Sequence, residues 1–348
     1  MTERLLEVRD LEVSFVTEEG VVHAVDGVSL ELYSGEVLAI VGESGCGKSV
    51  TAMTLLGLTR APNARIAGSA VYKGQELVTA SEEELQRIRG AEIAMIFQDP
   101  MTSLNPVMKI GDQIIEQIDE HTGMPEVQAR ERTIELLERV GIPRARDRVD
   151  SYPFEFSGGM RQRVMIALAL SCDPSVLIAD EPTTALDVTI QAQILPRIRE
   201  LREQTGAAVI LVTHDLGVVA DLADRIAVMY AGRIVESGTL DDIFYDPQHP
   251  YTWGLLGSIT RIDRPRARRL PAIAGMPPSL ADRPQGCHFR PRCPHEFSEC
   301  PKTPSLEARI AGQPQHPDRC WLSVEEKRAR REVRPGEVGL ESKQEAVA

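Results

Sequence analysis

Eight consecutive residues constrain this chain more than any other stretch: Gly42-Glu43-Ser44-Gly45-Cys46-Gly47-Lys48-Ser49. An apolar run of buried-strand length, Glu36 to Val41, precedes them, and a helix-forming segment from about Lys48 to Leu58 follows. Strand, glycine-rich loop and helix in that order build a phosphate cradle. The glycines let successive backbone N–H groups turn inward, and the helix N-terminus adds partial positive charge. Lys48 is placed to reach the β- and γ-phosphates, and Ser49 offers a hydroxyl to Mg²⁺. The spacing matches G-x-x-x-x-G-K-[ST], which predicts a nucleoside triphosphate site formed by Ser44, Gly45, Cys46, Gly47, Lys48, Ser49 and Val50. Cys46 would contribute backbone rather than its thiol. The alternative is a chance glycine-rich turn, which the flanking strand and helix argue against.

A second apolar strand, Val176 to Ala179, runs into Asp180-Glu181-Pro182. Beside a phosphate cradle, such a pair divides the work. Asp180 holds Mg²⁺ through water, and Glu181 faces the γ-phosphate as general base on the attacking water. Elsewhere Leu5–Val13 and Val25–Leu32 roughly alternate apolar and polar around a turn at Glu18-Glu19-Gly20, which reads as a hairpin. Helical periodicity covers Gly111–His121 and Val127–Val140, a helix begins after Ser157, and a strand spans Val209–Val212. Alternating strands and helices imply a parallel sheet with right-handed crossovers. With 348 residues and 42% hydrophobic content there is material for one large α/β domain and an appendage. The net charge of −13 discourages a nucleic-acid role. The N-terminus lacks the apolar core of a signal peptide, and the longest apolar runs are of strand length, so the chain is expected to reach a membrane only through partners.

Further motifs fall in order along the chain. Phe156-Ser157-Gly158-Gly159-Met160 resembles the L-S-G-G-Q signature of ABC ATPases, with Phe156 for the usual Leu and Met160 for the usual Gln. Gln98, after Met95-Ile96-Phe97, resembles the Q-loop glutamine, which touches Mg²⁺ and water. Asp187, in Ala185-Leu186-Asp187, resembles the D-loop, and His214 the switch histidine. Phe15 sits where that family stacks an aromatic on adenine. The resemblance covers roughly residues 3–250 and implies ATP and Mg²⁺ as ligands. It also implies that Ser157, Gly158, Gly159 and Met160 complete the ATP site of a second chain. Gln98 to Pro106 and Asp246 to Thr252 resemble the ATPases of dipeptide, oligopeptide and nickel importers, and the cysteine-rich end matches that group. The implied setting is the cytoplasmic face of the cell (inner) membrane. There the chain would pair with a second, homologous but non-identical ATPase chain and two transmembrane permease subunits, served indirectly by an external solute-binding protein. Nickel or glutathione import stands as the alternative solute. An exporter, and a soluble ATPase acting on ribosomes or DNA, are the rivals; the cysteine-rich end and the single acidic cassette weigh against them.

Cys287, Cys293, Cys300 and Cys320 crowd a proline-rich segment. Four thiolates there could close a metal site that staples a segment poor in apolar residues. Their spacings suit a [4Fe–4S] cluster better than the short C-x₂-C pairs of a zinc ribbon, and the resemblance points the same way. Zinc remains open, with His288, His295 or His316 as substitute ligands; so do four scattered buried thiols, and a redox sensor gating the ATPase. The expected fold is therefore α/β: a P-loop, RecA-like core, an antiparallel β subdomain, a helical signature subdomain and a small Cys-rich C-terminal domain. The expected division is a nucleotide-binding domain over 1–255 with its helical part at about 100–165, the Cys-rich unit over 256–325, and a charged tail over 326–348 that reads as a frayed helix or disorder.

Overall fold

The computed structural model describes residues 3–99, 103–182, 199, 202, 206–259 and 272–331. The chain opens with a hairpin of β1 (Arg4–Thr17) and β2 (Gly20–Tyr33), closing at the Thr17↔Gly20 pair. Both strands outrun the expected segments because the register shifts between Val8 and Leu11 and again between Val13 and Ser14. Asp10 lies in the first shift with φ 45. An irregularity of this kind exchanges the faces of the side chains, so strict alternation fails while pairing continues.

β3 (Val37–Val41) and α1 (Lys48–Leu55) flank the phosphate loop as expected. They are followed by β4 (Ala64–Tyr72), β5 (Gln75–Glu76), α2 (Glu82–Ile88) and β6 (Ile93–Ile96). β4 and β5 complete a four-stranded antiparallel sheet in the order β2-β1-β4-β5. The helical layer holds α3 (Ile110–Thr122), α4 (Glu126–Arg139), α5 (Ala145–Arg148) and α6 (Gly158–Ala169).

After it come β7 (Val176–Asp180), β8 (Ala208–Thr213), α7 (Leu216–Leu222), β9 (Arg225–Tyr230), β10 (Arg233–Thr239), α8 (Leu240–Tyr245) and α9 (Pro250–Gly257). The central sheet runs β11-β12-β10-β9-β3-β8-β7-β6, with β11 (Glu307–Ala308) and β12 (Pro317–Asp318) from the cysteine-rich end. β9, β3, β8, β7 and β6 pair in parallel, and β10 joins β9 antiparallel. Every residue of β3, β7 and β8 is buried, as the unbroken apolar runs require of strands covered on both faces. Alternate residues serve opposite cores. Leu38, Ile40, Ile178 and Ile210 pack with the antiparallel sheet and α1, whereas Val37, Leu177, Val209 and Leu211 pack with the helical layer.

The cysteine-rich end is tied into this sheet. β11 (Glu307–Ala308) and β12 (Pro317–Asp318) join its edge through the Glu236↔Asp318 pair. The first residues of the charged stretch expected from 326 are folded. Val324–Arg330 is a helix, α10, capped by Ser323, with Lys327 fully buried against Asp318 and with Arg328 and Arg331 paired to Asp246. Composition alone marked these residues as a solvated tail, but their charges have folded partners. The basic connection Arg261–Arg269 and residues 332–348 lie outside the described residues.

Candidate functional site

The phosphate loop leaves the C-terminal end of β3, and two of its glycines are required by close approach. A Cβ on Gly42 would stand 2.1 Å from the carbonyl oxygen of Met229, and one on Gly47 would stand 2.2 Å from that of Ala24. Both have positive φ, 156 and 105. Ser44 and Gly45 are exposed at the loop's crest, and Val50 is half-buried in the first turn of α1. Cys46 points inward and is 5% exposed. The Lys48 ammonium is buried at the loop's centre, donating to the carbonyl oxygens of Gly42 (2.8 Å) and Glu43 (3.0 Å).

The acidic pair closes on the loop. The Ser49 hydroxyl donates to Asp180 Oδ1 at 2.9 Å, so the two side chains expected to share Mg²⁺ already meet. Burial pushes the Asp180 carboxyl above the usual range; the Ser49 hydrogen bond opposes that, and the neighbouring Glu181 charge adds to it. Glu181 follows with φ 46, a left-handed conformation that is uncommon for a residue with a side chain. Its N–H is fixed on the Val212 carbonyl at 2.8 Å. Its carboxylate stands between the Gln98 amide, Nε2 to Oε2 at 2.9 Å, and His214 Nδ1, 3.2 Å from Oε1. Two separately expected residues, from the ends of β6 and β8, therefore converge on the carboxylate at the end of β7. The His214 side chain is 54% exposed while that of Glu181 is 10% exposed, so the imidazole forms the outer wall of the site.

The signature residues belong to the helical layer. Ser157 caps α6, accepting the Met160 N–H at 3.4 Å, and Gly158 is exposed. The two departures from L-S-G-G-Q are packing features. Phe156 is 2% exposed beneath the Arg148 guanidinium, and Met160 packs against the same core while its sulfur accepts from Arg148 at 3.6 Å. Gly159 sits in the first turn of α6. Gln162, on that helix, donates to the Pro182 carbonyl at 2.7 Å and so joins the signature helix to the acidic turn; its motif position gave no hint of this. Phe15 is half-buried on β1, opposite Val22. Asp187 lies outside the described residues, as do Pro100, Met101 and Thr102 of the stretch after Gln98.

The stretch Asp246–Thr252 acquires a physical reason. Glu236, fully buried on β10, accepts the N–H groups of Gln248 and His249 and lies 2.8 Å from His316 Nε2. Pro250 opens α9, capped by His249 through the Tyr251 N–H. Burial lowers the His249 pKa to about 3, so the ring is neutral and free to accept. The Tyr251 hydroxyl then reaches back to the phosphate loop, where it accepts the Glu43 N–H at 2.8 Å.

Cys287, Cys293, Cys300 and Cys320 line a single cavity of about 20 Å³ with His249, His295 and the rings of Phe289, Phe297 and Trp321. All four are free thiols. Burial pushes Cys293 up to about 11 and Cys320 up to about 12. His288 and His316 are committed elsewhere. The first has Nδ1 3.0 Å from the Ala231 carbonyl and the second is tied to Glu236, which removes both as ligand candidates and leaves His295 at the cavity. Four soft donors at one cavity fit an iron–sulfur cluster or zinc in kind. Among the described residues, however, no three His, Cys, Asp or Glu side chains are drawn together as a metal site. No helix among the described residues is long and apolar enough to cross a membrane.

Known proteins match this arrangement along nearly the whole chain. The ABC transporter family profile matches residues 25–184, and a profile for the oligopeptide/dipeptide transporter C-terminal region matches residues 235–300. The dipeptide transport ATP-binding protein DppD of Bacillus subtilis is 51% identical over 97% of this chain and 99% of its own. The oligopeptide transport ATP-binding protein OppD of Salmonella typhimurium is 52% identical over 92% of this chain and 95% of its own. Among solved structures, the dimeric ATP-binding cassette MJ0796, in a post-hydrolysis state bound to ADP and Pi, is 27% identical with a TM-score of 0.61, covering 68% of this chain and 99% of that one.

Proposed function

The chain belongs to the ATP-binding subunits of the peptide-transporting ABC family, and from that premise we propose that its nucleotide site is one half of a paired ATPase motor. The chain is an ATP-hydrolysing subunit of a dipeptide or oligopeptide importer; nickel and glutathione are not favoured among its relatives. The observation that carries the mechanism is the Glu181 carboxylate, held between Gln98 and His214 beside the Ser49–Asp180 pair.

Mg²⁺ enters with ATP as part of the substrate; Ser49 and Gln98 would contact it, and Asp180 would hold it through water. Lys48 and the loop N–H groups from Ser44 to Val50 hold the phosphates, and Phe15 stacks on adenine. Glu181 takes the proton of the attacking water, Gln98 orients that water, and His214 senses the γ-phosphate. Ser157, Gly158, Gly159 and Met160 present a helix N-terminus to the γ-phosphate bound by the companion chain, and Asp187 belongs to the D-loop motif. ATP favours the closed pair, and hydrolysis returns it to the open one. The companion is a related, non-identical ATPase. Two transmembrane permease subunits dock near Gln98 on the cytoplasmic face of the membrane, and a solute-binding protein delivers peptide from outside.

The cysteine cavity is assigned to a [4Fe–4S] cluster, with zinc as the alternative. Support comes from the four soft donors that line one cavity. When bound, the group would tie together a segment that has little apolar core of its own.

Glu181→Gln tests the reading. ATP binding should persist while turnover falls roughly 10²–10⁴-fold. Turnover near that of the unsubstituted chain would refute the base assignment.

A further inference from the structure

One residue of the cysteine-rich segment makes a contact that its neighbours' metal-ligand role does not explain. Arg292, immediately before Cys293, has a side chain only 4% exposed. It crosses to the phosphate loop and grips Glu43 with both arms, Nη1 to Oε2 at 2.5 Å and Nη2 to Oε1 at 3.0 Å. The remaining N–H groups are also placed. Nη1 donates to the Tyr230 hydroxyl at 3.3 Å, Nη2 to the Ile273 carbonyl at 3.3 Å, and Nε to the Ala274 carbonyl at 3.0 Å. All five guanidinium donors therefore have acceptors, and the planar cation also lies near the rings of Tyr230 and Phe289. A side chain satisfied this completely is rigid.

Glu43 is equally committed. Its carboxylate is held by Arg292, its N–H by the Tyr251 hydroxyl, and its carbonyl oxygen accepts from the Lys48 ammonium at 3.0 Å. Through one residue, the appendage is connected to the lysine that contacts phosphate.

We propose that Arg292 is a positioning residue of the ATPase: it sets the phosphate loop through Glu43, so the cysteine-rich appendage is a working part of the nucleotide site. The inference rests on the ATPase reading above. It also separates two roles within a few residues, Cys293 serving the cavity and Arg292 serving the loop. Lysine cannot replace Arg292, because an ammonium lacks the fork that spans both Glu43 oxygens and the three further acceptors.

The test uses the full chain and equilibrium binding of a fluorescent N-methylanthraniloyl-ATP, followed by KM and kcat for ATP. Arg292→Gln and Glu43→Gln should each weaken analogue binding and raise KM about tenfold, with a smaller effect on kcat. The double substitution should be no worse than either single one, because both remove the same pair. Arg292→Lys should recover only part of the loss. Glu43→Gln leaves the appendage sequence untouched, so it reads the contact even if Arg292 variants fold poorly. Asp246→Asn, which loosens the appendage at its other end, should leave binding within about twofold. Unchanged binding in Arg292→Gln, additive losses in the double variant, or an equal loss in Asp246→Asn would each overturn the proposal. Analogue binding does not need turnover. A chain that bound the analogue without hydrolysing ATP would therefore sink the ATPase reading, and the binding constants would still decide this one.

Discussion

Replacing Lys327 by Met isolates the contact that holds the C-terminal helix on the central sheet. The ammonium stands 2.7 Å and 2.8 Å from the two oxygens of Asp318, with side-chain exposures of 0% and 1%. Burial pushes the Asp318 carboxyl upward against the pull of Lys327, so desolvation is the larger influence on this pair. Removing one partner leaves a buried carboxylate, at a cost of about 3–5 kcal/mol. Arg309 Nη1 at 3.5 Å and the Cys320 N–H at 2.9 Å offset part of that. The expected loss is therefore about 3 kcal/mol, roughly a 150-fold increase in opening of the segment. Adding Asp318→Asn removes the stranded charge while keeping an acceptor for Cys320, and should restore all but about 1 kcal/mol. Hydrogen exchange of peptides covering β12 and α10 reads the opening directly. Protection of Lys327→Met within about threefold of the unsubstituted chain, or a double variant no better than the single one, would refute the desolvation reasoning.

Two further outcomes follow from the same region. Burial works to lower the His316 pKa, but Glu236 at 2.8 Å raises it further, so the net value lies above 6.5. A histidine raised by folding stabilises fully below its unfolded pKa and loses that contribution as pH rises through the folded one. Thermal stability relative to His316→Gln should therefore fall as pH rises above the ordinary histidine value, and parallel pH profiles would contradict this. Protein purified without oxygen should be brown and hold about four irons per chain, with iron lost in Cys320→Ser; a colourless, zinc-containing preparation would reverse the cluster assignment.

Most of the catalytic half was legible because its chemistry is local. Glycines at fixed offsets, a lysine on a helix N-terminus and carboxylates at a strand end each carry their mechanism within a few residues. Long-range partners were not legible. Nothing at Arg292 announces Glu43, 249 positions away, and nothing at Gln162 announces the Pro182 carbonyl. Asp246–Thr252 carries only a resemblance in the sequence because its physical meaning lies in Glu236, a buried carboxylate on another strand that collects two of its N–H groups. What anchors the charged helix after Ser323 was hidden for the same reason: composition counts charges but cannot see that Lys327 has Asp318. The β1–β2 register shifts hid strand length by breaking alternation.

The half-site claim is tested most directly on the chain assembled with its companion ATPase, by measuring which chain retains vanadate-trapped nucleotide. Lys48→Ala in this chain should abolish trapping in this chain's own site. Ser157→Arg should instead spare binding here and remove trapping from the companion's site. Loss confined to this chain's own site with Ser157→Arg would contradict a shared pair of sites.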